Sequence, residues 1–394
     1  MDKSYSFKPR EKLTAVKNLP DPFIKPDGTR VETPEQWEEQ REYLKEMLDY
    51  YMYGEVPQPP SNVSCELIDS TSLYGGTAIF EHLRLYSDRG ISILAEITRP
   101  TAPGKHPVII WNQFSNMERC PIEEEAVSRG YCILSFDRNQ LAPDKEGVSE
   151  YTGSMFQKAY PEFPRARAVS IWAWGCSFCA SWAEAQEWCG VLITTGFSRG
   201  GKTTMRAAAW DTRFKICLPV SSGAGGAGCF RFQGGRLGKD IGVCEGLGWL
   251  THKKRFWYWF RDEVAEFGNP SGVNAVGNEE KLPFDLHTLR ALIAPRAILC
   301  TEGLDDESAN CYGTQITWRA AQEVYDFLDA KGKNAIAFFE GAHEFKTNKW
   351  QTILDFCDII LYGKEQKINY RRFASDKNSN VPKLHYDWES PEKK

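Results

Sequence analysis

The chain has 394 residues, a formal net charge of −5, 42% hydrophobic residues and 26% charged residues. A chain of this size buries a large apolar core without disulfide or metal staples, and the ordinary globular composition excludes a disordered protein. The mild acidity argues against a general binder of nucleic-acid phosphates, and no apolar run is long enough to span a membrane, so neither partner is expected.

Taken in chain order, the first sixty residues read as an extension that wraps the core. Thr33-Pro34-Glu35-Gln36 is a capping box with Pro at the first helical position. Trp37, Leu44, Met47, Leu48 and Tyr51 then recur at helical spacing, and Gly54 and Pro57 stop the helix. From residue 63 the period changes to that of strands, at 63–84 with a Gly pair at 75–76 marking a turn, and at 91–98. Short apolar runs at 107–111, 131–136, 191–195, 216–220, 297–300 and 335–339 suit strands buried on both faces of a parallel sheet. Helical patterns lie at 167–187, 201–210, 315–330 and 348–362. This alternation predicts an α/β-hydrolase fold, a three-layer αβα sandwich with a mostly parallel central sheet. The catalytic domain is expected over 61–365. Within it, 223–285 breaks the alternation and is expected to be an insertion over the sheet edge. The polar stretch 366–394 is expected to hug the surface or fray.

The 12 cysteines are scattered, which favours reduced thiols. Cys176 and Cys179 form a CxxC inside an apolar helical pattern without a second Cys or His pair, so they are expected to be buried and no metal is expected. The N-terminus has no apolar signal core, which predicts a cytoplasmic protein, or a secreted one if an export signal was removed. A monomer is expected.

Residues 195–203 carry the chemistry. Gly196-Phe197-Ser198-Arg199-Gly200 is G-x-S-x-G, a nucleophile elbow. Gly196 through Thr203 also reads G-x-x-x-x-G-K-T, a P-loop for nucleotide phosphates with Lys202 and Thr203 as its working residues. The P-loop reading wants an acidic residue ending a later strand to hold Mg²⁺, and the strand ending at Val220-Ser221 has none. The elbow reading wants an acid and then a His downstream. Asp305 and Asp306 follow the strand at 297–300, and His343 follows the strand at 335–339. Strand ends of an open α/β sheet line one crevice. A Ser hydroxyl needs a base to take its proton, His is suited to that, and a buried carboxylate holds the imidazole. Ser198 would start a helix, where backbone N–H groups favour an oxyanion. Arg199 is the expected first oxyanion donor, and the turn at Asn112-Gln113-Phe114 the second, with Gln113 as the candidate. Lys202, four residues after Ser198, shares its helix face.

With these residues in place the sequence resembles the glucuronoyl esterases, carbohydrate esterase family 15. The motif G-x-S-R-x-G-K stands here as residues 196–202. The similarity extends to Asp21-Pro22-Phe23, Asp27-Gly28-Thr29-Arg30-Val31, Trp172-Ala173-Trp174-Gly175, Ser222-Gly223-Ala224-Gly225-Gly226, Leu282-Pro283-Phe284-Asp285 and residues 291–296. The resemblance implies a serine carboxylesterase without a cofactor. Its implied substrates are esters of 4-O-methyl-glucuronic acid in lignin-carbohydrate or glucuronoxylan-derived oligosaccharides. It implies Ser198 as nucleophile, His343 as base, an Arg199 side chain that also supports the oxyanion, and Lys202 on the uronate hydroxyls. Some members carry the triad acid where Ser221 stands, so the acid is expected at Asp306, with Asp305 as the alternative. A Trp that often follows this acid is replaced by Ser308-Ala309-Asn310. The sugar-contacting Gln and Glu of some members are not evident in 252–259, where Trp257 and Trp259 are the stacking candidates. The alternatives are an acetylxylan or other carbohydrate esterase on the same fold, the P-loop nucleotide binder, and an inactive carbohydrate-binding scaffold.

Overall fold

The computed structural model describes residues 5–114, 117–145, 153–234, 244–252, 255–271, 277–365, 383 and 385–392. Its helices are α1 (Pro34–Leu48), α2 (Glu123–Ser128), α3 (Met155–Ala159), α4 (Ala168–Glu184), α5 (Arg199–Trp210), α6 (Leu247–Leu250), α7 (Asp262–Ala265), α8 (Leu286–Ala291), α9 (Cys311–Phe327) and α10 (Thr347–Tyr362). Its strands are β1 (Ser64–Leu73), β2 (Ala78–Tyr86), β3 (Ser92–Pro100), β4 (His106–Gln113), β5 (Cys132–Asp137), β6 (Cys189–Phe197), β7 (Phe214–Val220), β8 (Ala297–Gly303) and β9 (Asn334–Phe339).

These strands form one sheet in the order β1-β2-β3-β5-β4-β6-β7-β8-β9. The pairs β1–β2, β2–β3 and β3–β5 are antiparallel, and all pairs from β5 to β9 are parallel. The apolar runs that lack a polar alternation are explained by helices on both faces. Val108 and Ile110 of β4 enter the core beneath α1, α4, α5, α8 and α9, while Ile109 and Trp111 face the opposite core with α2 and α10. Successive side chains of a strand point to opposite faces, so both must be apolar here. This is the predicted α/β-hydrolase architecture.

Helix α10 also fixes the loop before it. Trp350 is fully buried, with its ring 4.9 Å from Trp111 on β4 and 4.6 Å from the stacked ring of Phe345. Truncating Trp350 to Ala would cost about 3–5 kcal/mol and loosen the loop that carries His343.

Pro34 opens α1 as expected, and the Thr33 hydroxyl accepts from the Gln36 N–H at 3.3 Å. Leu19, Phe23, Val31 and Trp37 are buried in the main core, so the segment that carries them packs into it. Of the predicted tail, residues 366–382, 384, 393 and 394 lie outside the described residues. The part that is described docks: Trp388 donates its indole N–H to Leu19 O at 3.0 Å, and the Leu19 N–H donates to His385 O at 2.8 Å. Cys176 and Cys179 are buried in α4, and burial pushes the Cys176 thiol up to about 12 and that of Cys179 well above its usual range. A metal or redox role would require accessible thiolates. Among the described residues there is no metal-ligating cluster, and no helix is long and apolar enough to cross a membrane. The described part of 223–285 holds short helices and no strand.

Candidate active site

Ser198 occupies the sharp turn between β6 and α5. Its φ of 56° and ψ of −121° lie outside the usual regions for a non-glycine residue. The turn is closed by the Ser198 N–H on Val220 O at 2.9 Å and the Gly201 N–H on Ser198 O at 2.8 Å. The glycines of the motif are steric necessities, because a Cβ on Gly196 would lie 2.4 Å from Gly200 O. Asn112, at the end of β4, braces the same turn. Its Nδ2 donates to Thr195 O at 2.9 Å, to Gly200 O at 3.1 Å and to Thr204 Oγ1 at 3.0 Å.

The geometry is not that of a P-loop. Residues 199–210 are helical from the residue after Ser198, Thr203 Oγ1 is bonded to Arg199 O, and the Lys202 side chain is buried. A phosphate cradle needs a wide loop and an outward lysine. The tight turn removes both, so the P-loop expectation is withdrawn.

His343 and Asp306 meet at the strand ends. His343 Nδ1 lies 2.6 Å from Asp306 Oδ2. The other carboxylate oxygen accepts from Ser308 Oγ at 2.9 Å and from the Ala309 N–H at 3.1 Å. Burial opposes the charge of Asp306. The His343 hydrogen bond and charge, with the Ser308 and Ala309 donors, outweigh it and hold the carboxyl below its usual range. Asp305 points elsewhere: it is exposed, and its Oδ2 accepts from the Gly341 N–H at 3.1 Å. Of the two adjacent acids only Asp306 reaches the histidine.

Ser198, Arg199, Phe197 and His343 line a cavity of about 440 Å³ together with Trp111, Asn112, Gln113, Phe114, Glu118 and Arg138. The His343 ring sits 4.5 Å from that of Phe197. Behind it, Lys349 of α10 is buried and donates to Glu344 O at 2.7 Å and to Ser221 Oγ at 2.9 Å. This clamps the residue next to His343 onto the end of β7. Burial pushes the Lys349 ammonium down, opposed by Glu302, Asp306 and Glu344, while burial pushes Glu302 up to about 8, opposed by Lys349.

Three further candidates, Gln113, Trp257 and Trp259, are each held by local packing. The Gln113 amide donates to Glu118 O at 2.9 Å and accepts from the Glu118 N–H at 2.7 Å, so the side chain is fixed in the loop after β4, beside the cavity it helps line. Trp259 is 1% exposed and stacked on Phe256 at 4.2 Å, which removes it as an open platform for a sugar ring. Trp257 is half-buried beside it and is not among the residues lining the cavity. Spacing alone does not tell a stacking tryptophan from a packed one.

Lys202 is 1% exposed and donates to Ser222 O at 2.7 Å and to Glu245 Oε2 at 2.6 Å. Burial pushes its ammonium down, with Glu245 opposing. Gly223 leaves room for this pair, since a Cβ there would meet the Glu245 carboxylate at 2.5 Å. Glu245 was not singled out from the sequence. It lies 43 residues from Lys202, and no local pattern links them.

A family model described as "Glucuronyl esterase, fungi" matches residues 86–329. The chain belongs to the glucuronoyl esterase family. Among curated relatives of this glucuronoyl esterase-family chain, the 4-O-methyl-glucuronoyl methylesterase of Podospora anserina is 30% identical, over 82% of this chain and 64% of that one. The multidomain esterase of Ruminococcus flavefaciens is 26% identical over 96% of this chain and 51% of its own length, so the chain spans between half and two thirds of these two relatives. Among solved structures, a family 15 glucuronoyl esterase from Caldicellulosiruptor kristjansonii is 29% identical and superposes with a TM-score of 0.74, covering 94% of this chain and 99% of that one.

Proposed function

We propose that this protein is a serine carboxylesterase that cleaves esters of glucuronic acid and its 4-O-methyl derivative. The observation that carries the reading is the 2.6 Å contact between buried Asp306 and His343, beside the cavity that Ser198 lines from a strained strand-to-helix turn.

The proposed steps begin at Ser198. Ser198 Oγ attacks the ester carbonyl carbon while His343 takes its proton through Nε2. Asp306, ionised and bonded to Nδ1, holds that tautomer and stabilises the imidazolium. The tetrahedral oxyanion forms at the N-terminus of α5, where the Arg199 N–H and the helix dipole favour negative charge. Collapse expels the alcohol, which receives the proton from His343. Water then gives a proton to the same imidazole and attacks the acyl carbon, the acyl–Ser198 bond breaks, Ser198 Oγ takes the proton back from His343, and the uronic acid leaves. Lys202, which the family resemblance puts on the uronate hydroxyls, is buried against Glu245 and acts through that carboxylate, whose side chain is 15% exposed. The name of the Podospora anserina relative supports a uronate ester as substrate.

The test compares wild type and Ser198→Ala on benzyl and methyl glucuronate, with an acetylated xylo-oligosaccharide as the control. Turnover of a uronate ester that disappears in the variant is the expected result. Acetate release alone would move the substrate to acetyl esters. No turnover of any ester by the folded protein would overturn the esterase reading in favour of a carbohydrate-binding scaffold.

A further inference from the structure

Asp144, in the loop after β5, is a carboxylate whose side chain is fully buried. Four donors surround it. Its Oδ1 accepts from the Tyr258 hydroxyl at 2.8 Å and from the Trp259 indole N–H at 3.1 Å. Its Oδ2 accepts from Arg199 Nη1 at 3.0 Å and forms an ion pair with Arg138 Nη2 at 3.6 Å. The loop is itself fixed, with the Asp144 N–H on Asn139 Oδ1 at 3.1 Å and the Asn139 N–H on Asp137 Oδ1 at 2.9 Å.

This one residue therefore joins three distant parts of the chain: the end of β5, the first residue of α5, and the aromatic segment at 257–259. The Arg199 guanidinium is held at their meeting point, 4.8 Å from the Trp259 ring centre and 5.0 Å from that of Phe256. Arg199 lines the cavity next to Ser198 and is the residue that follows the nucleophile. An unpinned arginine samples many rotamers, and a donor aimed at developing charge is effective only when it is fixed beforehand.

We infer that Asp144 is a positioning residue that holds the Arg199 guanidinium against the reaction cavity. The inference rests on the reading of Ser198 as an ester-cleaving nucleophile. One carboxylate shared by two guanidiniums leaves a net positive charge beside Ser198. Asp144 thus anchors Arg199 without cancelling the field that an oxyanion feels. The Tyr258 hydroxyl and the Trp259 N–H satisfy Oδ1, which leaves Oδ2 to face the arginines.

A double-mutant cycle tests this, with kcat and KM measured on benzyl glucuronate for wild type, Asp144→Asn, Arg199→Ala and the double variant. Loss of one oxyanion donor costs about 10²–10³ in kcat, so Arg199→Ala is expected in that range. Asp144→Asn is expected to lower kcat about tenfold or more with KM within about threefold, and to add nothing in the Arg199→Ala background. An equal kcat loss from Asp144→Asn in both backgrounds, or no loss in either, overturns the inference. Should Asp144→Asn fail to fold by circular dichroism, Tyr258→Phe replaces it in the cycle, with a smaller kcat effect that must again vanish without Arg199. Should wild type turn over p-nitrophenyl acetate but no uronate ester, the substrate reading falls, and the same cycle on p-nitrophenyl acetate still decides the role of Asp144.

Discussion

The two flanks of Ser198 are built differently. On one side stands a narrow chain of directed bonds, from His343 to Asp306 and on to Ser308 and Ala309, with Lys349 clamping the loop from behind. On the other side stands a broad wall of cations and rings formed by Arg138, Arg199, Phe114, Phe256 and Trp259. Proton transfer depends on one atom meeting another at hydrogen-bond distance. Stabilising a developing charge depends on a field, which several groups share. The first flank should therefore fail abruptly when altered, and the second by degrees.

The largest effect is expected from Ser198→Ala and His343→Ala. Each should lower kcat on a glucuronate ester by about 10⁴–10⁶ while the melting curve stays close to that of wild type. Activity within tenfold of wild type in either variant would break the comparison at its root. Asp306→Asn should cost about 10⁴, because it favours the wrong imidazole tautomer, whereas Asp305→Asn should stay within about threefold. The reverse order would transfer the acid to Asp305.

Lys349→Met sharpens the contrast within the first flank. It removes the Lys349 hydrogen bonds to Glu344 O and Ser221 Oγ, so urea unfolding should show a loss of about 1–3 kcal/mol. An unchanged unfolding curve would show that these two bonds add no stability to the loop.

The smallest effect concerns pH. Asp306 is held below its ordinary value of 3.8, so its ionised form is favoured by folding. The stability it contributes is fully present above that value and is lost as pH falls through the lower folded value. Acid unfolding of Asp306→Asn should lack this component. An acid profile identical to that of wild type would show that the carboxylate gains nothing on folding.

Much of this was legible in the sequence for physical reasons. Buried parallel strands need apolar residues on both faces, so the runs at 107–111, 191–195 and 297–300 announced β4, β6 and β8. The elbow is local: Gly196, Ser198 and Gly200 lie within one turn, and their steric constraints are written in consecutive letters. The order of nucleophile, acid and histidine followed from strand ends. What stayed hidden depends on contacts between distant segments. Asp305 and Asp306 are neighbours, and only the path of the backbone after β8 decides which of them turns inward. Glu245 and Asp144 pair with residues 43 and 55 positions away. No periodicity connects such pairs, and Trp259 looks the same in a sequence whether its ring is covered or open.

The bond from Trp388 to Leu19 closes a loop of 369 residues. The entropy of closing a loop grows only with the logarithm of its length, so the clasp is thermodynamically modest. Its consequence is one of timing. Phe23, buried beneath Trp388 at a ring distance of 6.3 Å, waits for its cover until residue 388 has left the ribosome. The same clasp ties the segment at Leu19 to that at His385–Trp388, so the described part of the C-terminal stretch is held to the N-terminal segment by paired main-chain and indole bonds.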